Sequence, residues 1–304
     1  MKAQLYYLAR KIFSQELRNK LKVYQYDLKK KVAPVREKVY GNFTTGDLGK
    51  ELKKKLPDNF DVLMVHSSHS AMLPMYTGNL RELLDMLLSI CANDRTLVMP
   101  AFFFGERKYH YDLRKYFTDK PYFDKDKMPS QMGMITEIFR KYEGVKTSLH
   151  PTHRISALGP KADELIKDHE LCKTGCGQGS PFDKMSSMKT VILGLGTKYY
   201  QCMTQTHSVE DVLIEKGTYP TTFESIDIPI TLKYNGDEEF KYLLMHPDKS
   251  EYQRKLHPMV RKVLSKEDLQ EWKFKGVPFF YAWAGAVQQK LIKAALDGQS
   301  AYSK

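Results

Sequence analysis

No stretch of this sequence stays apolar long enough to span a bilayer, which excludes a protein built on membrane-crossing helices. Cysteine is scarce. Cys91, Cys172, Cys176 and Cys202 are the only four in 304 residues, too few and too irregularly spaced for a disulfide framework. Cys172 and Cys176 follow His169, but the pattern lacks C-x-x-C spacing and a clear fourth ligand, so no metal is expected. Internal repeats and low-complexity tracts are missing, which excludes solenoids. Met1 to Ile12 shows no sustained apolar core and no small-residue cleavage site, so the expected location is cytoplasmic. Acid is in deficit as well: 36 Asp and Glu face 48 Lys and Arg, a formal net charge of +12. That balance favours an anionic partner such as a phosphorylated cofactor, a nucleotide-linked metabolite or the inner face of an anionic membrane. Much of the excess is crowded near the start, at Lys20, Lys22, Lys29 to Lys31 and Lys53 to Lys55, and no zinc-finger, RRM or KH signature accompanies it. Nucleic acid is therefore not the expected partner.

What is present reads as two parts. Residues 1–40 form a basic amphipathic helical arm, with Leu5, Leu8, Ile12 and Leu17 able to share a face and Pro34 predicted to interrupt it. Packing on the core or on a second subunit, giving a homodimer, is the favoured role; loose attachment to an anionic membrane surface is the alternative. Residues 41–304 form the main domain. Thr45 or Asp47 can cap a helix carrying Leu48, Leu52 and Leu56. Asp61 to Val65 reads as a buried strand that ends in the polar burst His66-Ser67-Ser68-His69-Ser70. A helix over Leu80–Leu88 and a strand over Thr96–Pro100 complete a parallel α/β unit, in which ligands sit beyond the carboxyl ends of the strands. Phe102 to Met128 is aromatic and charged without clear period. It reads equally as a functional loop over a cleft or as a loop packed on the sheet edge. A helix is expected from Pro129-Ser130, strands over Ile228–Leu232 and Tyr242–Met245, and helices after Ser265 and Ala284. The fold class is α/β, with a mixed, largely parallel central sheet flanked by helices.

The chemistry concentrates after the apolar run Val191-Ile192-Leu193 and the turn Gly194-Leu195-Gly196-Thr197. Thr204, His207 and Glu210 follow at i, i+3 and i+6, roughly 60° apart in succession on a helix. A neutral imidazole can take a proton near pH 7, and a carboxylate one turn away can orient it. The same spacing also describes a helix start with a capping Thr and an exposed His.

Three groups of motifs, in order, resemble one family. The first is Val65-His66-Ser67-Ser68 with Gly78 and Thr96-Leu97-Val98-Met99-Pro100-Ala101-Phe102. The second is Pro129-Ser130-Gln131-Met132-Gly133, then Ser148-Leu149-His150-Pro151-Thr152-His153 and Gly159-Pro160. The third is Gly177-Gln178-Gly179-Ser180-Pro181, Val191 to Gly196, then Thr204, His207 and Glu210. Together they resemble the aminoglycoside 3-N-acetyltransferase family over about residues 45–215. The resemblance implies an acetyl-CoA-dependent N-acyltransferase, with His207 as catalytic base and Glu210 as its carboxylate partner. It also implies that His66, Ser67, Ser68, Ser130 and Thr204 serve the coenzyme A side, with His150 and His153 candidates for substrate contact. A retired binding protein and a zinc hydrolase using His150, His153, His169 and Cys172 are the competing classes.

Departures from the family pattern bear on the substrate. Gln201 and Met203 stand where an acid and an Asn are frequent, and Arg154 follows His153 where a small residue is frequent. A basic chain with an acid lost and an Arg gained near the site is expected to be a poor receptor for a polycation. A small-molecule amino sugar carrying an anionic nucleotide or lipid-diphosphate group, as in surface-polysaccharide synthesis, is the expected acceptor; an aminoglycoside is the alternative.

Overall fold

The computed structural model describes residues 15–92, 94–109, 112–236, 238–247 and 253–303. Helix α1 (Gln15–Tyr40) runs through Pro34 without a break. The proline forfeits one amide donor, and a helix of 26 residues absorbs that loss where the sequence pointed to an interruption. Leu5, Leu8 and Ile12 lie outside the described residues. No helix among the described residues is long and apolar enough to cross a membrane.

Thr44, not Thr45, caps helix α2 (Thr45–Lys55): its hydroxyl accepts from the Asp47 amide, while the Asp47 carboxylate accepts from the Thr44 amide at 2.9 Å. This reciprocal box satisfies two donors that a helix start otherwise leaves open. Strand β1 (Val62–Ser67) follows, then α3 (His69–Met72), α4 (Leu80–Cys91) and β2 (Thr96–Pro100). Val62 and Met64 face one hydrophobic core; Leu63 and Val65 face another. A strand buried on both faces reads as a continuous apolar run, which is why β1 and β2 are visible in the sequence.

Residues 102–128 are not an open flap. They contain α5 (Leu113–Asp119) and β3 (Tyr122–Asp124), and Phe103, Tyr116, Phe117 and Phe123 form a third core. Helix α6 (Met134–Arg140) starts four residues later than Ser130. Then come β4 (Lys146–Thr147), β5 (Ile155–Leu158), α7 (Ala162–Ile166), α8 (Pro181–Ser186), β6 (Thr190–Leu195), α9 (Tyr199–Cys202) and α10 (Gln205–Glu215). The chain continues through β7 (Ser225–Tyr234), β8 (Glu238–Pro247), β9 (Gln253–Arg254), α11 (Leu256–Val263), β10 (Leu269–Phe274), β11 (Val277–Trp283), α12 (Ala284–Leu296) and β12 (Tyr302–Ser303). The helix expected after Ser265 is instead α11, which precedes it. Alternation from Leu269 onward sends the chain into an antiparallel strand pair.

The central sheet has seven strands in the order β10-β11-β6-β1-β2-β5-β4. Its middle, β6-β1-β2, is parallel, and its flanks are antiparallel. A small sheet β3-β7-β8 backs the third core, and β9 pairs with β12. The parallel strands all deliver their carboxyl ends to one edge of the molecule, where β1 leads into His66-Ser67-Ser68 and β6 into the segment ahead of α10.

Candidate active site

The turn after β6 is tight. Gly196 has φ +68°, and a Cβ there would lie 2.7 Å from the Ser68 carbonyl oxygen. The Ser68 amide in turn donates to the Leu195 carbonyl at 2.8 Å. These contacts lock the ends of β1 and β6 together and set the path into α9 and α10. Thr204 begins α10 without a side-chain cap; its hydroxyl donates to the Cys202 carbonyl at 3.3 Å.

On α10, His207 Nδ1 lies 3.2 Å from Glu210 Oε2. Glu210 carries no proton to donate when ionised, so the Nδ1–H is the donor and Nε2 keeps its lone pair. The imidazole is 35% exposed and the carboxylate 3%, so solvent reaches the ring and not its partner. A buried carboxylate needs compensation. Arg254 supplies it from β9, with Nε at 3.0 Å and Nη2 at 2.7 Å from Oε1. Tyr302, on β12, donates its hydroxyl to Oε2 at 2.8 Å. Arg254 Nη2 also reaches the Thr206 hydroxyl at 2.8 Å. Sequence reading missed both residues. They lie 44 and 92 positions beyond Glu210, and no local pattern links them to it.

His153 stands beside the base, with ring centroids 6.5 Å apart, and rests edge-on against Phe102 at 4.8 Å. Gly175 makes that position possible, since a Cβ there would fall 2.5 Å from His153 Nδ1. His150, the other histidine considered for substrate contact, is turned into the interior. It is fully buried, its Nδ1 accepts the amides of Thr152 at 3.1 Å and His153 at 3.0 Å, and its Nε2 meets the Tyr242 hydroxyl at 3.1 Å. It shapes the loop that carries His153. His169 stacks on it at 4.6 Å and bonds Ser148 and the Gly175 carbonyl. Burial holds His169 down to about 3 and His150 well below the usual histidine range, so both are neutral, with their nitrogens already engaged. Among the described residues no cluster of His, Cys, Asp or Glu could hold a metal.

Ser130 is held by its local partners. Its amide donates to Glu137 at 2.7 Å and its hydroxyl pairs with Thr136, while Gln131 bonds the backbone of Phe102, Phe104 and Gly105. His66 is 3% exposed, and neither ring nitrogen meets a hydrogen-bond partner among the described residues. Burial pushes it down to about 4, so it is neutral. Ser67 and Ser68 beside it are half-buried. Burial pushes the Cys202 thiol up to about 12, and the sulfur donates to the Lys198 carbonyl.

The departures noted in the sequence fall elsewhere. Arg154 is fully buried, donating to the carbonyls of Ala101, Lys125 and Met128, and Met203 is 2% exposed. Neither faces a ligand. Gln201 turns back to accept the Lys198 amide.

The family model for aminoglycoside 3-N-acetyltransferases matches residues 64–273. The chain belongs to the aminoglycoside 3-N-acetyltransferase family. Over 153 residues it is 26% identical to the SPbeta prophage-derived aminoglycoside N(3')-acetyltransferase-like protein YokD of Bacillus subtilis strain 168, a match taking in 45% of this chain and 54% of that protein. The match thus spans about half the length of that curated relative. The fold of this family member is similar to that of aminoglycoside acetyltransferase AAC(3)-Xa, with a TM-score of 0.70, 17% identity, and 88% and 98% of the two chains covered. It is similar to AAC-VIa bound to sisomicin at 0.67, with 19% identity and coverage of 83% and 97%. It is also similar to the AAC-IIIb binary complex with CoASH at 0.66, with 17% identity and coverage of 83% and 96%. At these identities the likeness is one of fold.

Proposed function

We propose that this family member is an acetyl-CoA-dependent N-acetyltransferase, with His207 as general base and Glu210 holding its tautomer. The observation that carries the reading is the His207–Glu210 hydrogen bond at 3.2 Å, which leaves Nε2 unprotonated on a ring that solvent reaches. Acetyl-CoA supplies an activated thioester carbonyl. An alkylamine near neutral pH is largely protonated: it gives one proton to solvent to expose its lone pair, and it sheds a second N–H proton as the carbon–nitrogen bond forms; Nε2 is the group that takes the second. The amine nitrogen then bonds to the carbonyl carbon, the carbon–sulfur bond breaks, and the imidazolium returns the proton to the departing thiolate. No acyl-cysteine is required. The half-buried Ser67 and Ser68 at the end of β1 suit a polar ligand chain such as the coenzyme arm, and we assign His66, Ser130 and Thr204 to the same side from the family motifs they occupy.

The acceptor we infer is the amine of an amino sugar carrying a negative group, nucleotide- or lipid-linked. The carboxylates of α10 are committed internally: Glu210 to Arg254, Asp211 to the Cys176 amide and Glu215 to Thr174 and Gln178. A polycation receptor presents carboxylates to its ligand, and the net charge of +12 opposes one. The basic helix α1, with Tyr24, Val35 and Val39 exposed, suits an anionic membrane face or a second subunit. Aminoglycoside acetylation is the second reading, favoured by the compounds named for the structural relatives, sisomicin and a gentamicin. Thiol release from acetyl-CoA, measured with sisomicin, gentamicin and UDP-linked amino sugars, separates the two. Turnover confined to the nucleotide-linked sugars is expected, and turnover confined to the aminoglycosides would sink the anionic acceptor. His207→Ala is expected to lower kcat by roughly 10²–10⁴-fold with any accepted amine. Unchanged turnover removes the base assignment.

A further inference from the structure

Glu210 receives more hydrogen bonds than a carboxylate that merely orients a histidine. Oε1 takes a two-pronged contact from Arg254, and Oε2 is shared between the Tyr302 hydroxyl and His207 Nδ1. Both contributors sit on one small structure: β9 and β12 pair antiparallel, with Tyr302 directly opposite Arg254. The Arg254 guanidinium also lies 5.9 Å from the Tyr302 ring. The ring itself is anchored against Phe223 at 5.2 Å and Tyr219 at 6.4 Å.

We propose that Arg254 and Tyr302 are positioning residues that restrain Glu210, so that His207 keeps one tautomer yet stays unprotonated at Nε2 near neutral pH. The inference rests on the reading of His207 as the base. Two effects act together. A fixed carboxylate plane fixes the imidazole, because a hydrogen bond to one oxygen is directional. A carboxylate whose charge is shared with a guanidinium and a phenol also pulls less strongly on the imidazolium. Without that sharing, Glu210 would pull more strongly on the imidazolium. Other ionisable groups also face this centre. His153 stands beside His207, Tyr219 lies behind Tyr302, and Asp211 on the same helix is bonded to the Cys176 amide. His150 is neutral behind His153. Arg254 is the guanidinium that contacts the Glu210 carboxylate directly.

The test reads the imidazole directly and needs no acceptor. Full-length protein labelled with ¹⁵N in histidine is titrated by NMR, with the His207 signal assigned by its loss in His207→Gln. Arg254→Gln is expected to raise the His207 titration point by about one pH unit, a tenfold gain in proton affinity. Arg254→Lys, which keeps the charge, is expected to restore most of the original value. Tyr302→Phe, which keeps the packed ring, is expected to give a smaller rise. An unmoved His207 in a folded Arg254→Gln protein overturns the proposal. If that variant does not fold, Tyr302→Phe decides alone, and an unmoved titration there overturns it as well. The transferase reading fails separately: a shifted titration in a protein that acetylates no amine would count against that reading and leave this one standing.

Discussion

At the scale of single residues, the site is part local and part remote, and that division decides what the sequence reveals. His207 and Glu210 are legible because one helical turn joins them, and the helix start is announced by the glycine turn after β6. Arg254 and Tyr302 are invisible by the same reasoning, since their contacts form only after 44 and 92 residues have folded back. Arg154 shows how position misleads. Adjacent to His153, it reads as a charge facing the substrate, but its guanidinium is turned inward, 5.1 Å from the Phe123 ring centroid, and bonded to three backbone carbonyls. Burial holds it down to about 9, still charged at neutral pH. Arg154→Met would leave those carbonyls unsatisfied, and the loss is expected to cost about 3–5 kcal/mol. Urea unfolding of the two proteins measures it, and a change below about 1 kcal/mol would show that the clamp is not needed.

At the scale of elements, the strands that carry the site are readable as apolar runs, and the segment between β2 and α6 is not. Its aromatics have no period because they serve a separate small core built partly from β7 and β8, more than a hundred residues onward. The loop pair 148–153 and 169–175 acts as one element with the site. His150 bonds the amides that place His153, His169 bonds the Gly175 carbonyl, and Gly175 leaves room for the His153 ring. Gly175→Ala puts a methyl group where His153 now lies. It is expected to displace that ring and lower kcat/KM by about tenfold or more, as small misplacements in a site do. Thiol-release kinetics check this, with circular dichroism showing that the fold survives; an unaffected kcat/KM would remove His153 from the working site.

At the scale of the whole molecule, three histidines among the described residues are buried neutral: His66, His150 and His169. Their folded values lie below the ordinary 6.5, at about 4 for His66, well below 6.5 for His150 and about 3 for His169, because burial penalises the charged ring. As pH falls through 6.5 the unfolded chain takes up these protons and the native state does not. Stability is therefore full above that pH and is lost below it. With all three withheld the slope approaches about 4 kcal/mol per pH unit. Thermal melts from pH 7 to pH 5 are expected to show a steep fall, and a flat Tm across that range would contradict the burial of these rings. The α/β class is legible from strand and helix order. The antiparallel flanks are not, because β10 alternates in burial as an edge strand does, β11 is a mostly buried apolar run, and neither pattern marks where the strand docks.

The pairing of β9 with β12 has a consequence for how the molecule assembles. Closing a long loop costs entropy before its contacts return anything, so the clasp over Glu210 belongs among the late events of folding. Trp272 and Trp283 stand on β10 and β11, within the central sheet, so tryptophan fluorescence follows the sheet and not the clasp. On refolding, the chain can regain its native emission while His207 and its carboxylate still lack their outer partners. Competence is then a later achievement than compactness.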